Sequence, residues 1–421
     1  MKDWSLISGP LPVTLTVLAV LALAALVVLR PWKWSLLTLL VCALVVYAGN
    51  LYVERIWKPF PDPLDFSVLA WSWAALSAIA LAVQHLVRKR WYTPILGLIV
   101  VIGASVGGNA AYGYYPDVGT ALGLKGPSLS ELKTDRTQAI EVPSGGYLAD
   151  VWKPPPGLPA KGSLAKHTIP GTVSGFKARE GFIYLPPGYQ VTPRPILPVL
   201  VVLSGQPGAP QMWIDGGQIV EMMDRYAAAH GGLAPVVLLP DVLGSDFGNT
   251  LCVDSARGNV ETYLAKDIPA WVKENLQAAT DPKSWAISGL SFGGTCALQL
   301  ALRAPDVYGR FINLSGDREL EFHGKQGAID EYFGGDRAAY ARHNPPDLLA
   351  QNKFPDTAAR LVVGRDDGEF TTSMRLLRGE LAAAGADVDL LELPGGHSWS
   401  VWRPGLEQSL PWLAIHTRLS R

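Results

Sequence analysis

The stretch Ser284–Leu300, SWAISGLSFGGTCALQL, decides the fold. Its opening residues WAIS read as a buried strand, and TCALQLALR reads as a helix. That leaves Gly289-Leu290-Ser291-Phe292-Gly293 for a sharp turn between them. The turn fits G-x-S-x-G, the strand-to-helix elbow that can present a serine nucleophile. The pattern alone proves little, because a chain with 43 glycines in 421 residues matches it by chance roughly 0.25 times. Indeed Gly103-Ala104-Ser105-Val106-Gly107 matches it as well. Context separates the two. Around Ser291 the glycines relieve crowding, and the helix start offers a favourable dipole and open N–H groups. No strand precedes Ser105; its small neighbours in an apolar run fit a helix-packing face.

Outward from Ser291, short apolar runs alternate with amphipathic stretches. The runs are FIYLPPGY, PVLVVLSG, PVVLLPD, WAISGLS, FINLSG, ARLVVGRDD and DVDLLELPG; between them lie GGQIVEMMDRYAAAH, ETYLAKDIPAWVKENL and TTSMRLLRGELAAAG. Continuous apolar strands alternating with helices predict a mostly parallel sheet covered on both faces. In such sheets the reactive groups sit at the carboxyl ends of the strands.

A serine hydroxyl needs a base at neutral pH. Of seven histidines, His397 in LPGGHSW lies in a glycine-rich loop directly after the last predicted strand. His85, His167, His230, His323, His343 and His416 fall in a span or its loop, in a connector, at a helix end, or in polar or terminal segments. LVVGRDDGEF places Asp366 and Asp367 at the end of the preceding strand, where a carboxylate can orient the imidazole. The order Ser, Asp, His is the one expected of α/β-hydrolases. Charge developing on a substrate carbonyl also needs two preorganised donors. The backbone N–H of Phe292 is one; the loop in VLVVLSGQPG supplies the other, expected at Gln206. Asp215, Asp241, Asp246 and Glu369 lie near the strand ends, as capping and turn residues or as carboxylates that attract an amine-bearing substrate.

Together FIYLPPGY, PVLVVLSGQPG, SGLSFGG, NLSG, VGRDDGEF and GGHSW resemble the esterase D branch of the α/β-hydrolases, which includes enterobactin-type esterases and mycolyltransferases. The resemblance covers roughly residues 168 to 415. It implies Asp367, the second carboxylate of Gly-x-Asp-Asp, as the acid, with Asp366 as the fallback. It also implies Gln206, which follows Ser-Gly, as the second oxyanion donor. The N-terminal part departs from the cytosolic members, so their small thioester substrate is not carried over.

That part is set apart by composition. Charged residues are scarce before about residue 114, and four apolar stretches are long enough to cross a bilayer: Leu11 to Leu29, Ser35 to Val53, Phe66 to Val87 and Pro94 to Tyr112. None has the form of a cleavable signal peptide. Arg30 and Lys33 lie in the first loop and Arg88, Lys89 and Arg90 in the third; the second offsets Arg55 and Lys58 with Glu54, Asp62 and Asp65. The positive-inside rule puts the first and third loops in the cytoplasm and both termini outside. Trp and Tyr at the span ends suit interfacial anchoring. Cys252 and Cys296 are the two cysteines of the later part; outside the cytoplasm a disulfide between them is permitted, with two buried thiols as the alternative. Cys42 lies in a span.

The expected organisation is an all-α four-helix transmembrane domain over 1–113, a Pro/Gly-rich connector over 114–167, and an α/β-hydrolase domain over 168–421. A formal net charge of −1 gives no reason to expect nucleic acid as a partner. No cofactor is expected, and no metal site, since neither HExxH nor paired His/Cys spacing occurs. The expected partners are the bilayer and a membrane lipid or lipid-linked ester. The expected activity is a membrane-anchored, extracytoplasmic serine ester hydrolase using Ser291, Asp367 and His397, with aminoacyl-phosphatidylglycerol as the specific substrate. The alternatives are acyl transfer by the same triad, as in the mycolyltransferases, and a non-catalytic membrane scaffold with a hydrolase fold.

Overall fold

The computed structural model describes residues 2–58, 63–143 and 145–421. Asp62 of the second loop and Ser144 of the expected connector lie outside them. The chain divides into two units, Met1–Gly126 and Pro127–Arg421.

The first unit holds four helices: α1 (Pro10–Val28), α2 (Trp32–Tyr52), α3 (Phe66–Leu86) and α4 (Thr93–Tyr112). At about 1.5 Å per residue each is about 30 Å long, the thickness of a bilayer's hydrocarbon core. All four are apolar enough to cross a membrane. Small residues set their packing. A Cβ on Gly103 of α4 would lie 2.4 Å from Ala19 Cβ of α1, and one on Gly107 would lie 2.1 Å from the Trp71 ring of α3. Ser105 faces outward between them and donates its hydroxyl to the Val101 carbonyl at 2.9 Å. Leu21, Leu40, Leu44 and Val83 stand exposed on the outer faces. Soluble monomers rarely expose apolar surface of this extent, whereas lipid-facing helices do.

The second unit is built on eight strands: β1 (Ser163–His167), β2 (Gly181–Leu185), β3 (Val199–Leu203), β4 (Val236–Leu239), β5 (Trp285–Leu290), β6 (Arg310–Leu314), β7 (Ala358–Gly364) and β8 (Asp387–Leu393). Their order across the sheet is β8-β7-β6-β5-β3-β4-β2-β1. From β4 to β8 every pairing is parallel, while β2 runs antiparallel to both β4 and β1. The residues of β3, β4 and β5 are buried at every position, so these strands are covered on both faces and show no polar alternation. Each fully buried Leu, Ile or Val there contributes about 1.5–3 kcal/mol.

The stretch 114–167, expected as a connector, is shared between the units. From Pro127 onward it clusters with the second. There Leu148 and Trp152 enter the main core, Ala139–Ile140 pairs with Arg194–Pro195, and Ser163–His167 forms β1. Two longer segments leave the carboxyl ends of β4 and β6. They share a small core of their own, with Leu251 and Val253 from one and Leu320, Ile329, Tyr332 and Tyr340 from the other. A disulfide ties the first segment to the body: Cys252 is bonded to Cys296 of α5 (Phe292–Arg303), with Cα atoms 5.6 Å apart.

Candidate active site

Ser291 stands between β5 and α5 with φ 50° and ψ −122°. This backbone is disfavoured for a residue with a side chain and costs about 1–3 kcal/mol, so its surroundings must over-determine it. They do. The Ser291 N–H donates to the Leu314 carbonyl at the end of β6 at 2.8 Å, and its own carbonyl accepts from Gly294 at 2.8 Å and Thr295 at 3.1 Å. The two flanking glycines are a steric requirement. A Cβ on Gly289 would meet the Gly293 carbonyl at 2.3 Å, and one on Gly293 would meet the Leu203 and Ser204 carbonyl oxygens at 2.6 Å.

Phe292 is the first residue of α5, where backbone N–H groups have no acceptor within the helix. Beside it runs the turn after β3. A Cβ on Gly205 would come within 3.6 Å of Ser291 Cβ, so the turn that carries Gln206 passes beside the serine at Gly205. The Gln206 side-chain amide donates to the Phe247 carbonyl at 3.4 Å, turning the side chain toward the segment after β4.

His397 follows β8, and its Nδ1 donates to Asp367 Oδ1, just past β7, at 3.1 Å. The Asp367 side chain is 2% exposed and that of His397 is 20% exposed. A buried carboxylate on Nδ1 fixes the tautomer in which Nε2 carries the lone pair, the form a general base needs. Aromatic rings hold the imidazole plane: Phe370 lies 4.4 Å from it and Trp402 meets it edge-on at 4.9 Å. The neighbouring Asp366 is turned away. Its N–H donates to the Gly395 carbonyl at 3.0 Å, and its carboxylate accepts from the Gly395 N–H at 3.3 Å. Asp366 therefore ties the two loops together, while Asp367 meets the histidine.

Two of the four acidic residues near the strand ends are committed elsewhere. Asp241 is fully buried and Asp246 exposed, and both carboxylates bind Arg179. Burial alone would push the Asp241 carboxyl up; the Arg179 hydrogen bonds and charge outweigh it and hold the group below the usual carboxylate range. Asp215 accepts from the Gln211 amide at 2.9 Å, and Glu369 sits in the first turn of α6 (Glu369–Ala383), where its charge favours the helix dipole. Among the described residues no three His, Cys, Asp or Glu side chains gather as a metal ion would require.

Arg179, Phe370 and Trp402 are contacts the sequence does not announce. Phe370 and Trp402 read there as ordinary core aromatics, and Arg179 lies 62 positions from its carboxylate partner Asp241.

The arrangement has relatives. Residues 177–413 match the family described as "Putative esterase". An uncharacterized protein of Corynebacterium glutamicum is 31% identical over 431 residues, covering 98% of this chain and 98% of its own. The iron(III) enterobactin esterase of Dickeya dadantii is 28% identical over 234 residues, 51% of this chain and 47% of its own. Among solved structures, a ferulic acid esterase aligns with a TM-score of 0.53 at 18% identity, over 62% of this chain and 100% of its own. An S-formylglutathione hydrolase from Agrobacterium tumefaciens aligns at 0.51 and 20% identity, over 62% and 97%. The two structures share the α/β-hydrolase fold with this chain.

Proposed function

The chain belongs to the esterase family and is a carboxylic ester hydrolase; on that premise we propose that it is a membrane-anchored serine esterase acting outside the cytoplasm on lipid-linked esters. The observation that carries this reading is the contact of His397 Nδ1 with buried Asp367, on strand ends that follow Ser291 in the sheet. Ser291 Oγ attacks the ester carbonyl while His397 Nε2 takes its proton. The backbone N–H groups of Phe292 and Gln206 stabilise the oxyanion, and Asp367 stabilises the imidazolium. Collapse breaks the ester C–O bond, and the proton passes from His397 to the leaving alcohol. Water, deprotonated by His397, then attacks the acyl-serine; the acyl–Oγ bond breaks, the acid leaves, and His397 returns the proton to Ser291 Oγ.

The location rests on two supports. Loop charges favour cytoplasmic first and third loops. The Cys252–Cys296 disulfide belongs to an oxidising compartment. A hydrolase unit joined in one chain to four membrane-length helices meets lipid-linked esters without their release into water, and aminoacyl-phosphatidylglycerol is the substrate we propose.

Full-length protein in detergent is expected to be labelled by a fluorophosphonate and to release free amino acid from lysyl-phosphatidylglycerol vesicles, with both signals lost in Ser291→Ala. Equal labelling of Ser291→Ala would refute the serine mechanism. Turnover of a p-nitrophenyl ester without turnover of the vesicles would remove the lipid substrate. Transfer of a labelled acyl group to trehalose, exceeding its release to water, would replace hydrolysis by acyl transfer.

A further inference from the structure

We propose that Arg179 is a positioning residue for the oxyanion turn, holding the Gln206 N–H in place from outside the triad. This inference rests on the serine esterase reading above. Arg179 lies in the segment just before β2. Its guanidinium joins three loops. Nε and Nη2 bind the buried Asp241 carboxylate, at 3.1 Å to Oδ2 and 2.8 Å to Oδ1, and Nη1 binds Asp246 Oδ1 at 2.5 Å. Nη2 also donates to the Gly208 carbonyl at 2.9 Å, two residues beyond Gln206.

The turn is gripped at both polar groups of that one residue, because the Gly208 N–H donates to the Asp246 carbonyl at 2.8 Å. Asp241 is the fixed end of the clamp. Its carboxylate accepts backbone N–H groups from Arg179, Leu243 and Gly244 at 2.8, 3.1 and 3.0 Å. A fully buried carboxylate so satisfied cannot swing, and the guanidinium it holds side-on is equally constrained.

The turn needs such a constraint. It passes beside Ser291: a Cβ on Gly205 would come within 3.6 Å of Ser291 Cβ and 2.6 Å of Leu290 Cδ1. An oxyanion donor stabilises a transition state only when aimed at where the oxygen will be, and a small misplacement forfeits most of its effect. Lysine cannot replace this arginine. Its single ammonium lacks the planar fork that reaches Asp241, Asp246 and Gly208 at once.

The test uses full-length protein in detergent with p-nitrophenyl acetate, counting active sites by fluorophosphonate titration so that misfolded molecules drop out. In Arg179→Lys, kcat per titrated site is expected to fall about 10- to 100-fold, approaching the effect of removing a donor outright. KM should stay within about twofold, and the inhibition constant of phenylboronic acid, whose tetrahedral adduct mimics the oxyanion, should rise with the fall in kcat. A residue that only stabilised the fold would move none of these per-site quantities. Unchanged kcat and boronate affinity in Arg179→Lys would overturn the inference alone, whereas turnover surviving in Ser291→Ala would overturn the serine reading and this inference with it. If Arg179→Lys does not fold, Asp246→Ala, cut at an exposed carboxylate, carries the test. A several-fold loss of kcat with matching loss of boronate affinity supports the clamp, and no change in either refutes it.

Discussion

At the scale of single residues, the two adjacent aspartates are the sharpest case. The sequence offers Asp366 and Asp367 side by side at the end of one strand, and only their surroundings separate them. Asp367 is buried against His397, and Asp366 bridges to Gly395. Asp367→Asn is expected to lower kcat about 10⁴-fold, because an amide favours the wrong imidazole tautomer. Asp366→Asn should leave kcat within about threefold and lower stability slightly through its loop. Steady-state kinetics on the two variants with a p-nitrophenyl ester checks both; equal losses would mean that the two carboxylates share the role. Ser291 itself was legible because strand, glycine and helix signals all meet at one position. Phe370 and Trp402 were not, because an aromatic residue carries the same signal whether it packs on a leucine or on an imidazole.

At the scale of elements, the interior strands β3 to β7 were readable as short, mainly apolar runs. Strand β1 was not. Ser163–His167 holds only two well-buried residues, lies at the sheet edge and follows a proline-rich stretch. Nothing local makes it extended; its partner Gly181–Leu185 does. The disulfide joins elements in the same way, tying the segment after β4 to α5 across a separation of 44 residues. Closing a loop of that size stabilises the fold by about 4 kcal/mol on a chain-entropy basis. The double variant Cys252→Ser, Cys296→Ser should therefore melt well below the wild type. Reductant should bring the wild type down toward it while leaving the variant unmoved. A wild-type melting temperature unaffected by the double substitution would show that the bond contributes little.

At the scale of the whole molecule, orientation is the open matter that physics can address. On the topology proposed above, Lys89 faces the cytoplasm and the hydrolase unit lies outside. The native cysteines leave a quiet background, with Cys42 buried and the other two bonded. Single cysteines introduced at Lys89 and at Val173, an exposed position of the hydrolase unit, report the topology. An impermeant maleimide should label Val173→Cys in intact cells and Lys89→Cys only after permeabilisation; the reverse pattern would invert the protein.

What the sequence determined by itself was whatever depends on a residue and its near neighbours: the four apolar spans, the alternation of strands and helices, the serine elbow, and the order of serine, aspartate and histidine. Such signals survive in one dimension because hydrophobic periodicity and turn chemistry act over a few residues. Only the tertiary structure decided which aspartate faces the histidine, that Cys252 meets Cys296, that a polar edge segment becomes a strand, and that Arg179 grips the turn after β3. Each of these joins groups 29 to 44 positions apart or depends on a strand partner. Their distances are set by how the whole sheet and its loops pack, which no local pattern encodes.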